Sequence, residues 1–340
     1  MIQTPSPAIG SFAERYLLAH FPSGGVIVDL VTGNYFRVNT SAAVICEILR
    51  STDDRARALS HVGQELGIDP EEAGRALSGV IATLSAPSVR GEIQGSYHFF
   101  PAGDGYELWH GDHRVLQVDG GSLEIRLASG AETTNVAQLE LYVRALAPKL
   151  LFQGGVTVLH ASACLAAGTL IAFAGLSGAG KTTTAKAFGD AGARVFSEDL
   201  VILGPQKERA EILVEGEATV QAWAAKTAAQ LRSAPSEAAP PIPVASVVEG
   251  PTADLDLILF LDRSRRRGTD LTTSTLEKPD ALVSLMAHDF LGAAEPRTWR
   301  RFFGDAVAMI RLVELRAASV PDGLERLATA ATRYMSSTAS

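Results

Sequence analysis

Cysteine is scarce in this 340-residue chain: Cys46 and Cys164 are the whole supply. Two thiols so far apart in sequence cannot staple a loop-rich secreted scaffold, so both are expected to be buried, free and reduced. No apolar run approaches the roughly 20 residues that cross a bilayer. The opening MIQTPSPAIGSF has neither the charged nor the apolar region of a secretory signal. A cytoplasmic location without a membrane partner is therefore expected. Basic charge is also short, with 30 Lys and Arg against 38 Asp and Glu and a net charge of −8. A general binder of nucleic acid needs a basic surface to displace counterions, so no nucleic-acid partner is expected. Internal repeats are missing, which rules out a solenoid. What remains is a chain 46% hydrophobic and 20% charged, enough to bury the cores of two or three domains.

Residues 1–86 form the first expected domain. GVIVDLVTGNYFRVN reads as a β-hairpin turning at Thr32-Gly33-Asn34. SAAVICEILR follows with helical spacing and Thr40 or Ser41 as its N-cap. Two more helices are expected around 56–66 and 70–84, the second capped by Asp69 with Pro70 at its first position. Residues 87–149 change character: YELWHG, RVLQVD and SLEIRLA alternate between turn residues and predict a short β-rich layer, closed by a helix near 136–147. In 150–340, VTVLHASACLA and TLIAFAG read as strands, ARVFSEDLVIL as a strand pair and DLDLILFLD as another strand. Helices are expected at 279–286 and 299–309. The prolines of SAPSEAAPPIPV predict a loop or mobile flap. The fold class is α/β.

The strongest signal is GLSGAGKT, residues 175–182, between a strand and a helix. Glycines let such a loop curl its N–H groups onto phosphate oxygens, and the helix start adds its dipole. Gly175, Ser177, Gly178, Ala179, Gly180, Lys181, Thr182 and Thr183 are thus candidates for nucleotide binding, with Lys181 on the β and γ charges and the Thr182 hydroxyl on Mg²⁺. ATP and Mg²⁺ are the implied substrate and cofactor. His160 on the preceding strand and Glu198-Asp199 after ARVFS are expected near the γ-phosphate, one carboxylate taking a proton and the other binding metal. Asp262, closing LILFLD, is a competing metal carboxylate. The run Arg263-Ser-Arg-Arg-Arg267 is either a solvated loop or a source of positive charge for the transferring phosphoryl group.

The run LHASACLAAGTLIAFAGLSGAGKTTTAKAFGDAGARVFSEDLVIL resembles the catalytic core of HPr kinase/phosphorylase and its relatives, P-loop kinases akin to phosphoenolpyruvate carboxykinase. VQAWAAKTAAQL and ALVSLMAHDF look like the C-terminal half of the same family. The resemblance covers about residues 90–335, and its specific motifs lie in 160–203. It implies that Glu198, matching the first of two consecutive family aspartates, activates a serine with help from His160, while Asp199 lies at the metal beside Thr182. Ala161 stands where the family has glycine, and Glu198 is one methylene longer than the family's aspartate. The downstream glycine-rich signature of the bifunctional enzymes is not recognisable, so kinase activity without phosphorolysis is implied.

GVIVDLVTGNYFRVNTSAAVICEIL resembles the PqqD family, small winged-helix domains that bind leader peptides of ribosomally made, modified peptides. Tyr35, Phe36, Val38 and Asn39 fall on the strand that such domains offer to an extended leader. Only Arg37 is basic within 24–49, which weakens a DNA-binding alternative. Together the resemblances imply a P-loop kinase core of the HPr kinase/phosphoenolpyruvate carboxykinase type, preceded by a PqqD-like winged helix. The expected function is an ATP- and Mg²⁺-dependent serine kinase acting on a leader-bearing ribosomal precursor peptide, as tailoring kinases of lasso peptides do. A homo-oligomer is compatible. A kinase for a folded HPr-like carrier, and a nucleotide-dependent switch without phosphoryl transfer, stay open as alternatives.

Overall fold

Polar side chains set where the helices begin. Asn39 accepts the N–H of Ala42 at 2.8 Å, Asp54 those of Ala56 and Arg57, Asp69 those of Glu71 and Glu72, and Asn135 that of Gln138. Each cap satisfies donors that the first helical turn leaves open, worth about 1 kcal/mol. Asn39, rather than the expected Thr40 or Ser41, therefore starts its helix. The computed structural model describes residues 12–52, 54–85, 97–102, 105–176, 178–204, 209–262, 270–287, 296–321 and 323–338. Among these no helix is long and apolar enough to cross a membrane.

The chain forms two compact units. The first comprises 1–93 together with 277–286 and 294–307, and the second takes the remainder. In the first, the order is α1 (Phe12–Arg15), β1 (Tyr16–Phe21), β2 (Gly24–Asp29), β3 (Tyr35–Val38), α2 (Thr40–Ser51), α3 (Arg55–Leu66) and α4 (Pro70–Ser85). The expected hairpin is β2 and β3, but YLLAHF adds a third antiparallel strand on the other side of β2. That explains the unbroken burial of GGVIVD along β2. Tyr16, Ile27, Ile45, Leu49, Val62 and Leu77 build the core, with Phe36 and Val38 packed at its margin. Asp29, 1% exposed, receives the Arg15 guanidinium and the N–H of Val31. Burial works against its charge, but these bonds hold its carboxyl below the usual range.

The second unit opens with a four-stranded antiparallel sheet of β4 (Tyr97–Ala102), β5 (Gly105–His110), β6 (His113–Val118) and β7 (Ile125–Leu127). Next come α5 (Val136–Gln153), which carries Pro148 in its interior, the strands β8 (Val158–Ala166) and β9 (Thr169–Ala174), and α6 (Lys181–Asp190). They are followed by β10 (Arg194–Ser197), β11 (Leu200–Ile202), β12 (Glu211–Leu213), α7 (Gly216–Ser233), α8 (Val244–Val248), β13 (Thr252–Asp254) and β14 (Leu257–Leu261). Last are β15 (Thr272–Thr275), α9 (Lys278–Ala287), α10 (Pro296–Leu312), β16 (Glu314–Ser319) and α11 (Leu324–Thr338), with α9 and most of α10 belonging to the first unit.

The main sheet is mixed and runs β10-β8-β9-β14-β16-β15, with β11 also on β8. Among the described residues only the β9–β14 and β14–β16 pairs are parallel. Ala167 and Gly168 join β8 to β9 with φ of 48° and 85°, the positive values of a tight hairpin turn. The apolar runs TLIAFA and LILFL are almost wholly buried, and Phe173, Phe188, Leu259, Leu327 and Ala331 share one core. Cys46 and Cys164 are free and buried in the two cores, where burial pushes each thiol up to about 12. The proline-rich stretch after α7 is anchored: Ala239, fully buried, exchanges both backbone hydrogen bonds with Ile125 at 2.8 and 3.0 Å. A mobile flap is thereby ruled out at that point, because two paired peptide groups would have to be desolvated unpaired.

Candidate active site

Strand direction gathers the candidate residues at one edge of the main sheet. β9 ends at Ala174, opposite Ala161 on antiparallel β8, so His160 and Gly175 lie level. Parallel β14 pairs Phe260 with Ala174 and so brings Asp262 to the same edge. β10 and β11 both run antiparallel to β8, in the direction of β9. The two residues between them, Glu198 and Asp199, leave the ladder where β8 presents Ala161 and Ser162, next to His160.

Gly175 has φ +157°, and a Cβ there would meet Ala179 Cβ at 2.8 Å and Leu261 O at 2.9 Å. Only glycine lets the loop pass so close to β14. Gly178 and Gly180 also take positive φ, 73° and 97°. Gly180 starts α6 without a side-chain cap, so the first N–H groups of the helix stay available to an anion. Lys181, 6% exposed, curls back to donate to the Gly175 carbonyl at 2.9 Å. Burial lowers its pKa, against the opposing charge of Asp199. Ala179 is buried, whereas Thr182 and Thr183 are exposed. Ser177 and the arginine run 263–267 lie outside the described residues.

His160 Nε2 pairs with Asp199 Oδ1 at 2.9 Å. That hydrogen bond lowers the Asp199 pKa, helped by the charges of His160, Lys181 and Arg144 on α5. The histidine thus partners the second acidic residue. The Glu198 side chain faces solvent while its backbone is held on both sides. Its carbonyl accepts the Thr182 hydroxyl at 3.0 Å and the Ser162 hydroxyl, and its N–H donates to Glu217 Oε2 at 2.7 Å. Glu217, in the first turn of α7, is buried, and desolvation raises its pKa against the bonds it accepts from Glu198 and Ser197. Glu217 and Arg144 carry no local sequence signal; tertiary packing alone brings them here.

The uncapped helix start, the tight glycines and the buried lysine fit a phosphate chain. Among the described residues no three His, Cys, Asp or Glu side chains gather in ligating geometry. A divalent ion here would draw on Asp199, the Thr182 hydroxyl, and phosphate and water oxygens, the usual surroundings of Mg²⁺.

The four expected peptide-binding residues lie in the first unit. Among the described residues β3 pairs only with β2, which leaves its outer edge as the sheet's end. Val38 and Asn39 line a groove of about 280 Å³ whose walls include Ala42, Ile45, Ala76 and Val80. Phe36 packs against the core, and the Asn39 side chain is the cap of α2. Tyr35 stands on β3 at partial exposure. The chain matches no protein-family model and no curated protein sequence.

Proposed function

We propose that this protein is an ATP- and Mg²⁺-dependent kinase that phosphorylates a serine hydroxyl of a leader-bearing ribosomal precursor peptide. On this reading the second unit is a P-loop kinase core of the HPr kinase/phosphoenolpyruvate carboxykinase type. The first is a PqqD-like winged helix. The observation that carries the proposal is the convergence of Lys181, Thr182, Glu198 and the His160–Asp199 pair on one sheet edge, around a glycine loop with free helical N–H groups.

In the proposed reaction the loop N–H groups and Lys181 hold the β and γ phosphates of ATP. Bound Mg²⁺ would supply charge neutralisation of the β and γ oxygens. Glu198 takes the proton of the serine hydroxyl as the serine oxygen bonds to the γ-phosphorus. The bond from that phosphorus to the β–γ bridging oxygen breaks, and ADP leaves. A serine hydroxyl is a weak nucleophile at neutral pH, and a positioned base contributes about 10²- to 10⁴-fold. The His160–Asp199 contact favours a second assignment, in which Asp199 receives the proton and Glu198 turns to the metal. The free edge of β3 beside the groove suits a leader that adds as a strand and buries alternate side chains. Tethering would raise the local concentration of the acceptor toward the millimolar range.

The test is incubation of the full chain with Mg·ATP and the precursor peptide encoded beside its gene, read by mass spectrometry. A gain of phosphate on the leader-bearing peptide, and far less on the leaderless one, is expected. Hydrolysis of ATP with nothing labelled would instead point to a switch. Equal labelling of a folded carrier protein would point to a carrier kinase.

A further inference from the structure

We infer that Glu217 is a positioning residue that replaces a missing strand partner and fixes the backbone of Glu198, the residue that begins the acidic pair. This inference rests on the phosphotransfer reading above, but it is carried by geometry. β10 and β11 share β8 as neighbour, yet their pairing shifts register between Val195 and Ser197 and resumes at Leu200. Glu198 and Asp199 therefore lose the ladder bonds that would hold a regular strand, and a buried N–H without an acceptor is costly.

Glu217 fills that gap. Its carboxylate takes the Glu198 N–H at 2.7 Å. A bond to an ionised acceptor is roughly twice as strong as a neutral one. The helix that carries it is pressed close. A Cβ on Gly216 would meet Ile202 Cδ1 at 3.0 Å and Leu213 Cβ at 3.1 Å, so glycine permits the start of α7 to lie against β11 and β12. The α7 N-terminus offers its partial positive charge to a carboxylate in this turn.

The next peptide unit, on the other side of the Glu198 Cα, is held as well. Glu198 O accepts Ser162 Oγ at 2.5 Å from β8 and Thr182 Oγ1 at 3.0 Å from the glycine loop. The glycine loop, strand β8 and the acidic pair are thereby tied through the Glu198 carbonyl. A glutamine at 217 would hold this N–H less well, because a neutral amide oxygen is a weaker acceptor than a carboxylate and a turned-over NH₂ would meet the N–H as a second donor.

The experiment compares the full chain with Glu217→Gln and Ser162→Ala, using Mg·ATP as the probe and water as the acceptor. Expected for Glu217→Gln is a fall in kcat for ATP hydrolysis of about 10²-fold, with the Kd for Mg·ATP within about threefold, as misplacing a reacting group by about 1 Å would give. In ¹H–¹⁵N spectra the Glu198 amide should move upfield and exchange with solvent faster. Ser162→Ala, which releases the same residue at its carbonyl, should give a smaller loss of kcat in the same direction and serves if Glu217→Gln does not fold. An unchanged Glu198 amide, an unchanged kcat, or a Kd that worsens in step with kcat would overturn the inference. A wild-type chain that binds no Mg·ATP would retire the nucleotide reading itself, while the amide shift would still judge the contact.

Discussion

Lys181 is held by a backbone carbonyl and not by a carboxylate, so its charge is not cancelled by a direct ion pair and can turn toward a phosphate. Lys181→Ala is expected to abolish phosphoryl transfer while leaving the affinity for the peptide unchanged, a pairing checked by radiolabel transfer and calorimetry on the same preparation. The acidic pair gives a sharper comparison. Glu198→Gln should lower kcat by about 10²- to 10⁴-fold if it is the base, with Asp199→Asn partly restored by extra Mg²⁺. The reverse pattern would move the base role to the residue that His160 contacts. His160→Ala removes the bond that lowers the Asp199 pKa, so the acid limb of the pH–rate profile should shift to higher pH. Lys181, Thr182, Glu198, Asp199 and His160 were legible because loop chemistry and strand order are written locally. Glu217 and Ser162 were not, because their nearness to Glu198 arises only when α7 and β8 fold against it.

Elements divide in the same way. The start of α4 was legible because Asp69 acts within three residues of itself, whereas the Asp54 cap of α3 emerges only in the structure. β1 was hidden because YLLAHF does not alternate cleanly, and its strand character comes from the registry of Tyr16 with Asp29 through Phe21 with Gly24. At that end of the sheet, the Arg15–Asp29 pair predicts a pH response. The folded pKa of Asp29 is depressed, so its stabilisation is complete above the ordinary carboxylate range and is lost as pH falls through the depressed value. Asp29→Ala should cost about 3 kcal/mol at pH 7 and less at pH below the depressed Asp29 pKa, measured by urea unfolding. Helix α4 offers a second test. Gly79 lines the groove in mid-helix, and a Cβ there meets nothing within 4 Å. Gly79→Ala should stabilise the protein by about 0.5–1 kcal/mol, whereas Gly79→Leu should fill the groove and weaken binding of the precursor peptide at least about tenfold without unfolding α4. Unimpaired binding in Gly79→Leu would remove the groove from the proposed recognition site.

At the scale of the molecule, the first unit is not contiguous in sequence. Stretches 277–286 and 294–307 belong with residues 1–93, and Arg37 on β3 pairs with Asp280 and, at 3.2 Å, with Glu277. Sequence patterning could not reveal this, since the joining contacts span some 240 positions. Deleting residues 1–86 would strip α9 and α10 of most of their unit and expose Leu282, Met286, Trp299 and Phe302, all at most 2% exposed. A drop in Tm of at least about 5 °C and association on a sizing column are expected for that deletion. Recognition is therefore better probed by groove substitutions. The same discontinuity sets a clock on the ribosome. After residue 93 emerges, at about 5–20 residues per second the chain needs on the order of 10–40 s to reach the stretches near 277 and 294 that complete this unit. The module proposed to capture peptide is finished only after the glycine loop and its acidic partners have been synthesised, so a half-made chain would not sequester a substrate it cannot modify.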